Sequence, residues 1–283
     1  MIRRAALVLV LLVLQGCSAI KLGYTQLPTL SYWWLDSALS FTDAQSQRAK
    51  DALDQVYRWH RGQELGTYTD LLQRSRELGQ GTVQASQICV LWGDVQSRMD
   101  RSVRAAITQA APVVPMLGPR QLSHLARHLE RKNEDWEKEW LQGSTQGRFE
   151  RRRDKALERY RSFYGDLSPQ QVALVTTQTA QSVWTAEWGR QDRLRREQDL
   201  LSTLRQLAQN PATPAQIEAE LYGVWQRWFM PPDEAGRTLM QQLTRQACDH
   251  LAQLHNTTSP EQRQRMARRL RGYEQDIRDL IQP

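Results

Sequence analysis

The sequence predicts an all-α protein, an array of antiparallel helical hairpins placed after an N-terminal export signal and a short tether. Three observations carry this prediction. Apolar residues recur every three to four positions through almost the whole chain, which is the period of one helix face. No stretch of comparable length alternates apolar with polar residues, as a half-buried strand would. The 15 Gly and 11 Pro of the 283 residues are too few for the turn density of a sandwich or barrel.

Taken in order, the pattern predicts helices at 43–62, 64–79, 83–111, 120–142, 145–164, 169–209, 214–229, 234–256 and 260–281. Ile88, Leu91, Val95, Met99, Val103, Ile107 and Ala110 run along the third of these. Leu122, Leu125, Leu129, Trp136 and Trp140 stripe the fourth, and Phe149, Ala156, Tyr160 and Phe163 the fifth. Met266, Leu270, Tyr273, Ile277 and Leu280 stripe the last. Five helix starts look alike: Thr42-Asp43-Ala44-Gln45, Gly118-Pro119-Arg120-Gln121, Ser168-Pro169-Gln170-Gln171, Thr213-Pro214-Ala215-Gln216 and Ser259-Pro260-Glu261-Gln262. Those opening on Ser or Thr have capping-box chemistry, in which the hydroxyl takes an orphan N–H and the Gln reaches back to the cap. Each start is followed by an aromatic residue: Trp59, Trp136, Trp184, Trp225 and Tyr273. A duplicated helical hairpin and simple convergence on good helix starts both account for the likeness.

At the N-terminus, Arg3 and Arg4 precede an apolar run from Ala5 to Leu14, followed by Gln15, Gly16 and Cys17. This is the layout of an export signal. Ten apolar residues rise about 15 Å as a helix, half of a bilayer core, so they do not form a stable span. Leu14-Gln15-Gly16-Cys17 resembles the bacterial lipoprotein lipobox, although Gln15 stands where a small residue is usual. The resemblance implies cleavage after Gly16 and acylation of Cys17, and Ser18 after it implies the outer membrane, facing the periplasm. The expected organisation is a signal peptide at 1–16, a lipidated tether with an aromatic cluster at 17–40, and a helical domain at 41–283.

Removal of residues 1–16 takes away Arg3 and Arg4 and no acid, leaving +5 of the formal +7. A mean hydropathy of −0.65 excludes an integral membrane bundle. A mildly basic envelope protein meets anionic lipid headgroups or acidic cell-wall groups, so no nucleic-acid partner is expected. With Cys17 acylated, Cys89 and Cys248 form an even pair in an oxidising compartment. They form either one disulfide or two buried thiols packed as small hydrophobes.

The tether carries Pro28 with Tyr24, Tyr32, Trp33 and Trp34. Such rings either enter a headgroup layer or dock the tether onto the domain. Cys17-Ser18-Ala19, Leu22-Gly23-Tyr24, Tyr32-Trp33-Trp34-Leu35-Asp36 and Trp59-His60-Arg61 together resemble a family of uncharacterised proteobacterial lipoproteins, the domain-of-unknown-function 6279 lipoproteins. The likeness is densest over the first 60 or so residues. It supports an address and a class and brings no catalytic or binding residue with it.

Few motifs carry chemistry. His124-x-x-x-His128 shares a helix face but lacks the Glu of a zinc-protease helix, and His60, His250 and His255 are scattered, so neither metal nor cofactor is expected. No phosphate loop or nucleophile elbow is present, and the acidic run Glu134, Asp135, Glu137 and Glu139 reads as a solvated face. Most basic clusters have acids beside them. Arg263, Arg265, Arg268, Arg269 and Arg271 have few, which makes them the candidate anion-contacting segment. Trp136 with Trp140, and Trp184 with Trp188, repeat a Trp-x-x-Glu-Trp pattern that projects two indoles from one helix face. They are either core or the lining of a groove for glycan, lipid or a client chain.

The expected function is a non-enzymatic, membrane-tethered binding or scaffold module. It is held by lipid through Cys17 and engages an envelope protein or cell-wall partner. A chaperone is the second class, since Leu167-Ser168-Pro169-Gln170-Gln171 is similar to the Leu-Thr-x-x-Gln motif of small periplasmic stress chaperones. A cell-wall enzyme is the third, and no residue constellation speaks for it.

Overall fold

The computed structural model describes residues 19–282, so Cys17 and the export signal lie outside the described residues. Among those described there are twelve α-helices and no strand, as the apolar period predicts. They are α1 (Ala19–Thr25), α2 (Leu27–Leu39), α3 (Asp43–Trp59), α4 (Thr67–Leu78), α5 (Ala85–Ala110), α6 (Pro119–Trp140), α7 (Thr145–Tyr164), α8 (Pro169–Ala180), α9 (Ala186–Gln209), α10 (Pro214–Phe229), α11 (Glu234–Asn256) and α12 (Pro260–Ile281). Neighbouring helices pair as α2 with α3, α7 with α8 and α9 with α10. The chain then closes on itself, because α11 packs on α5 and α12 packs on α4, α7 and α1.

Residues 19–39, read as a tether, are two helices docked on the domain, and α2 packs on α3 and α6 with Ala38 in the core. Two helix bounds need correction. The helix predicted at 43–62 ends at Trp59 and passes into a π turn at His60–Glu64. That turn aims Arg61 at the C-terminus of α12, where its guanidinium donates to the carbonyls of Leu280 (2.5 Å) and Gln282 (3.2 Å). It thereby satisfies orphan acceptors at that helix end. The helix predicted at 169–209 is two helices separated at 181–185. Thr185 caps α9 by accepting the Trp188 N–H at 3.1 Å, and Gln246 of α11 binds both the Val183 N–H (3.0 Å) and the Gln181 carbonyl (3.0 Å). A periodic pattern continues through such a break because Thr, Ser and Gln are neutral in it.

Four of the five repeated helix starts meet in pairs, and the fifth, at Thr213, bonds within its own capping box. Gln45 of α3 and Gln121 of α6 exchange side-chain amide hydrogen bonds of 3.0 and 2.8 Å. Gln171 of α8 and Gln262 of α12 do the same at 2.9 and 3.0 Å. Each Oε1 also accepts the N–H of its own cap residue, Thr42, Gly118, Ser168 or Ser259. Each amide group also reaches a backbone carbonyl, those of Met116, Leu39, Thr257 and Asp166 among them. A glutamate accepts but does not donate, so only Gln completes this arrangement.

Two main cores result. Ala38, Ala111, Val114, Leu117, Leu122, Leu125, Leu201, Leu204, Leu207 and Ile217 fill the first, beside the Gln45–Gln121 junction. Leu157, Tyr164, Val175, Leu254, Met266 and Leu270 form the second, beside Gln171 and Gln262. The second surrounds a hollow.

Candidate functional site

The hollow is a cleft of about 1090 Å³. That lies just above the roughly 300–1,000 Å³ spanned by small-molecule sites. Leu72 of α4, Leu91 and Val95 of α5, Phe163 of α7, Val175 of α8 and Leu251 of α11 contribute apolar wall. Among the described residues no Asp or Glu lines it. Its cations are Arg152, Lys155 and Arg159, which stand at i, i+3 and i+7 and so share one face of α7.

Indoles stand beside these cations. Trp140 at the end of α6 meets Trp184 edge to face at 5.7 Å between ring centroids, and Trp136 lies 6.3 Å behind Trp140. Lys155 Nζ sits 4.6 Å over the Trp140 ring, and the Arg152 guanidinium 5.1 Å from that of Trp184. Such cation–π contacts gain strength where water is thinned. Lys155 is also paired with Glu139. Arg152 is half-buried and donates to the Thr179 carbonyl at 3.3 Å. Burial draws its pKa below the ordinary guanidinium value, the more distant Glu187 opposing this, and it stays charged. Among the described residues, neither Arg152 nor Arg159 has a carboxylate within 4.0 Å.

Deeper in the cleft, Tyr164 and His255 form a closed polar unit. A carbonyl only accepts, so His255 Nε2 carries the hydrogen that reaches Gly81 O at 2.9 Å, and Nδ1 accepts from the Tyr164 hydroxyl at 2.9 Å. This is the neutral imidazole. Burial lowers the His255 pKa and raises that of Tyr164, so both stay uncharged at neutral pH. Cys89 and Cys248 form a disulfide with their Cα atoms 5.6 Å apart. It ties α5 to α11 beside the wall residues Ile88, Leu91, Ala247 and Leu251.

The chain matches the family of unknown function DUF6279 over residues 38–213, more than half its length. It belongs to that family. No curated protein and no solved structure matches the chain. The DUF6279 match carries the Gln45–Gln121 junction, the filled core up to Leu207, both rim indoles and the three cations of α7. It ends before α10, α11 and α12, the last two of which close the cleft with Leu251, Met266 and Leu270.

The residues singled out in this DUF6279 sequence have separate fates. Trp140 and Trp184 are brought together at the cleft, with Trp136 tilted behind Trp140. Trp184 and Trp188 do not share a helix face, because α9 begins between them; this corrects the reading of a repeated helical motif. Trp188 is outside the cleft lining. The α12 arginines also lie elsewhere. Arg263 donates to Thr258 Oγ1 and the Gln80 carbonyl, Arg269 to Tyr273 Oη and the Ser162 carbonyl, and Arg265 packs on Gly165. Arg268 and Arg271 are exposed. His124 and His128 meet the end of α2, through Ser40 Oγ at 2.8 Å and the Ser37 backbone. Among the described residues no group of three or more His, Cys, Asp or Glu is placed to hold a metal. In the chaperone-like segment, Gln171 is the junction amide.

Sequence reasoning missed Arg152, Lys155 and Arg159 as site residues. Their spacing beside the Ala156, Tyr160 and Phe163 stripe was a usable signal. Glu150 and Asp154 nearby suggested a salt-bridged surface instead, and Asp154 is indeed taken up by Arg153 at 2.8 Å.

Proposed function

We propose that this protein is a lipid-anchored, non-enzymatic binding module of the bacterial cell envelope, whose cleft takes an apolar chain with an anionic head. One observation carries the reading: a cleft of about 1090 Å³ with apolar walls, three cations on one helix face and, among the described residues, no carboxylate in its lining. A buried chain gains on the order of 25 cal/mol for each Å² removed from water. A head carrying negative charge gains from Arg152 and Arg159, which have no carboxylate within 4.0 Å among the described residues. Tyr164 and His255 support binding over catalysis at the cleft, since their side chains are engaged with each other and with Gly81.

The address rests on the lipobox at Cys17, with Ser18 favouring the outer membrane and a periplasm-facing body. The Cys89–Cys248 bond supports an oxidising compartment. Calorimetric titration of the purified protein with a saturated fatty acid tests the reading. One saturable site per chain is expected, and Ala156→Phe, which adds bulk to the cleft wall, should abolish it at unchanged melting temperature. Equal binding by wild type and variant, or none by wild type, would defeat the proposal.

A further inference from the structure

The outward face of α1 and α2 is apolar and bare. Ile20, Leu22, Leu27, Leu30, Trp33 and Trp34 are exposed, with Leu22, Trp33 and Trp34 at 63, 62 and 60%. Leu27, Leu30, Trp33 and Trp34 fall at i, i+3, i+6 and i+7 and so form one stripe along α2. From Leu22 to Leu35 the chain carries no charged residue. Large apolar side chains exposed singly need no explanation, whereas a continuous row marks a surface with an occupant.

The row does not come from a loosely held segment. Lys21 Nζ donates to Asp279 of α12 at 2.7 Å, and Tyr24 shares a 2.9 Å hydrogen bond with His60 of the π turn. Tyr32 donates to Ser46 of α3 at 3.1 Å, with Lys50 Nζ 4.5 Å over its ring. Leu39 and Phe41 pack against the filled core around Ala38. The inner face of α2 is therefore fastened at both ends, and the helix has no route by which to turn Trp33 and Trp34 inward.

The occupant is set by what precedes this face. Cys17 stands two residues before Ala19, and two residues of extended chain span at most about 7 Å. An acylated Cys17 therefore places the start of α1 at the headgroup layer with almost no slack. Among the described residues no helix is long and apolar enough to cross a membrane, so the segment lies on the surface or stands off it. Exposed Trp rings on an uncharged stripe favour lying flat, with indoles at headgroup depth and Leu side chains below them. We infer that α1 and α2 form a membrane-seating face, in which Leu22, Leu27, Leu30, Trp33 and Trp34 enter the lipid interface beside the acylated Cys17 and fix the tilt of the helical body. The inference rests on the lipid-anchor reading and goes beyond it, since an anchor alone leaves the orientation free.

The test uses the full mature protein reconstituted into phosphatidylethanolamine and phosphatidylglycerol vesicles, some of whose lipids are brominated high on the acyl chain to quench shallow indoles. Acylation of Cys17 is scored by mass in the same preparation. The acylated wild type should lose fluorescence to the brominated lipid, and Trp33→Phe with Trp34→Phe should remove most of that loss while leaving the unquenched spectrum folded. A second variant, Leu30→Gln with Trp33→Gln and Trp34→Gln, should stay membrane-bound through its acyl chains and expose α2 to added protease. Acylated protein with Trp33 and Trp34 unquenched would overturn the seating face while keeping the anchor. An unacylated chain that still binds vesicles through Trp33 and Trp34 would keep the face and remove the anchor. Absence of both acylation and quenching would overturn the two together.

Discussion

At the Gln45–Gln121 junction, α3 and α6 start beside ten buried side chains, all aliphatic, that fill the space between α2, α6, α9 and α10. At the Gln171–Gln262 junction, α8 and α12 start beside only six, and a cleft of about 1090 Å³ opens among them. The fastening is the same, down to the reciprocal amide bonds and the donation to a nearby carbonyl. The interiors differ because of side-chain shape. In the first core, aliphatic side chains from four helices and the turn between α5 and α6 are buried against one another. In the second, Tyr160, Phe163, Tyr164, Trp140 and Trp184 stand along the cleft, and the Cys89–Cys248 bond pins α5 to α11. Helix starts thus set where elements meet, and the residues one or two turns further on decide whether the space between them is filled.

The disulfide offers the largest effect on this contrast. Replacing Cys89 and Cys248 by Ala releases a sequence separation of 159 residues, and the chain-entropy view gives a loss of up to about 5 kcal/mol. Urea unfolding reads the loss, and hydrogen exchange should show α5 and α11 losing more protection than the filled core. Next come truncations in the two interiors. Leu204→Ala in the filled core should cost about 3 to 5 kcal/mol, while Leu91→Ala on the cleft wall should cost about 2 kcal/mol or less, because its contacts are already missing on one side. Equal costs would mean that the cleft is packed shut in solution.

The junctions themselves come third. Gln45→Glu and Gln171→Glu should each cost about 1 to 3 kcal/mol at neutral pH, since the carboxylate leaves its partner amide without a donor. Protonation restores a donor, so the folded-state pKa of either Glu lies above its unfolded value. The stabilising share of the interaction is present at low pH and lost as pH rises through the folded pKa, so each penalty should shrink on acidification. Similar losses at both positions would show one device used twice.

The smallest effect is the pH dependence of the cleft. His255 is held below its ordinary value of 6.5, chiefly by burial, and the same cause lowers His250. A lowered histidine pKa contributes stability that is present above 6.5 and lost as pH falls below it. Melting temperature should therefore hold at neutral pH and decline on acidification, with a shallower decline in His255→Gln.

The all-α class was legible because a 3.6-residue apolar period survives wherever a helix has an inside. The break at 181–185 was not, since it depends on Gln246 from a helix 65 residues away from Gln181. The second role of the capping glutamines was hidden for the same reason: Gln171 shows its cap in sequence, but its partner Gln262 is 91 residues distant. The cleft was illegible in principle. Leu91, Val95 and Phe163 face a hollow with the same periodicity that Leu122, Leu201 and Leu204 use to face a filled core. The rim indoles Trp140 and Trp184 were visible as candidates, and only the fold separates them from Trp188.

The most direct test of the chamber is a comparison of two ligands that differ only in charge. The wild-type protein is titrated with a saturated fatty acid and with the alcohol of the same chain length, and Arg152→Gln with Arg159→Gln is titrated in parallel. The acid should bind the wild type about tenfold or more tightly than the alcohol, as a charge-assisted hydrogen bond allows. In the variant the two affinities should converge near that of the alcohol. Equal binding of acid and alcohol by the wild type, or a preference for acid that survives loss of both arginines, would contradict the account.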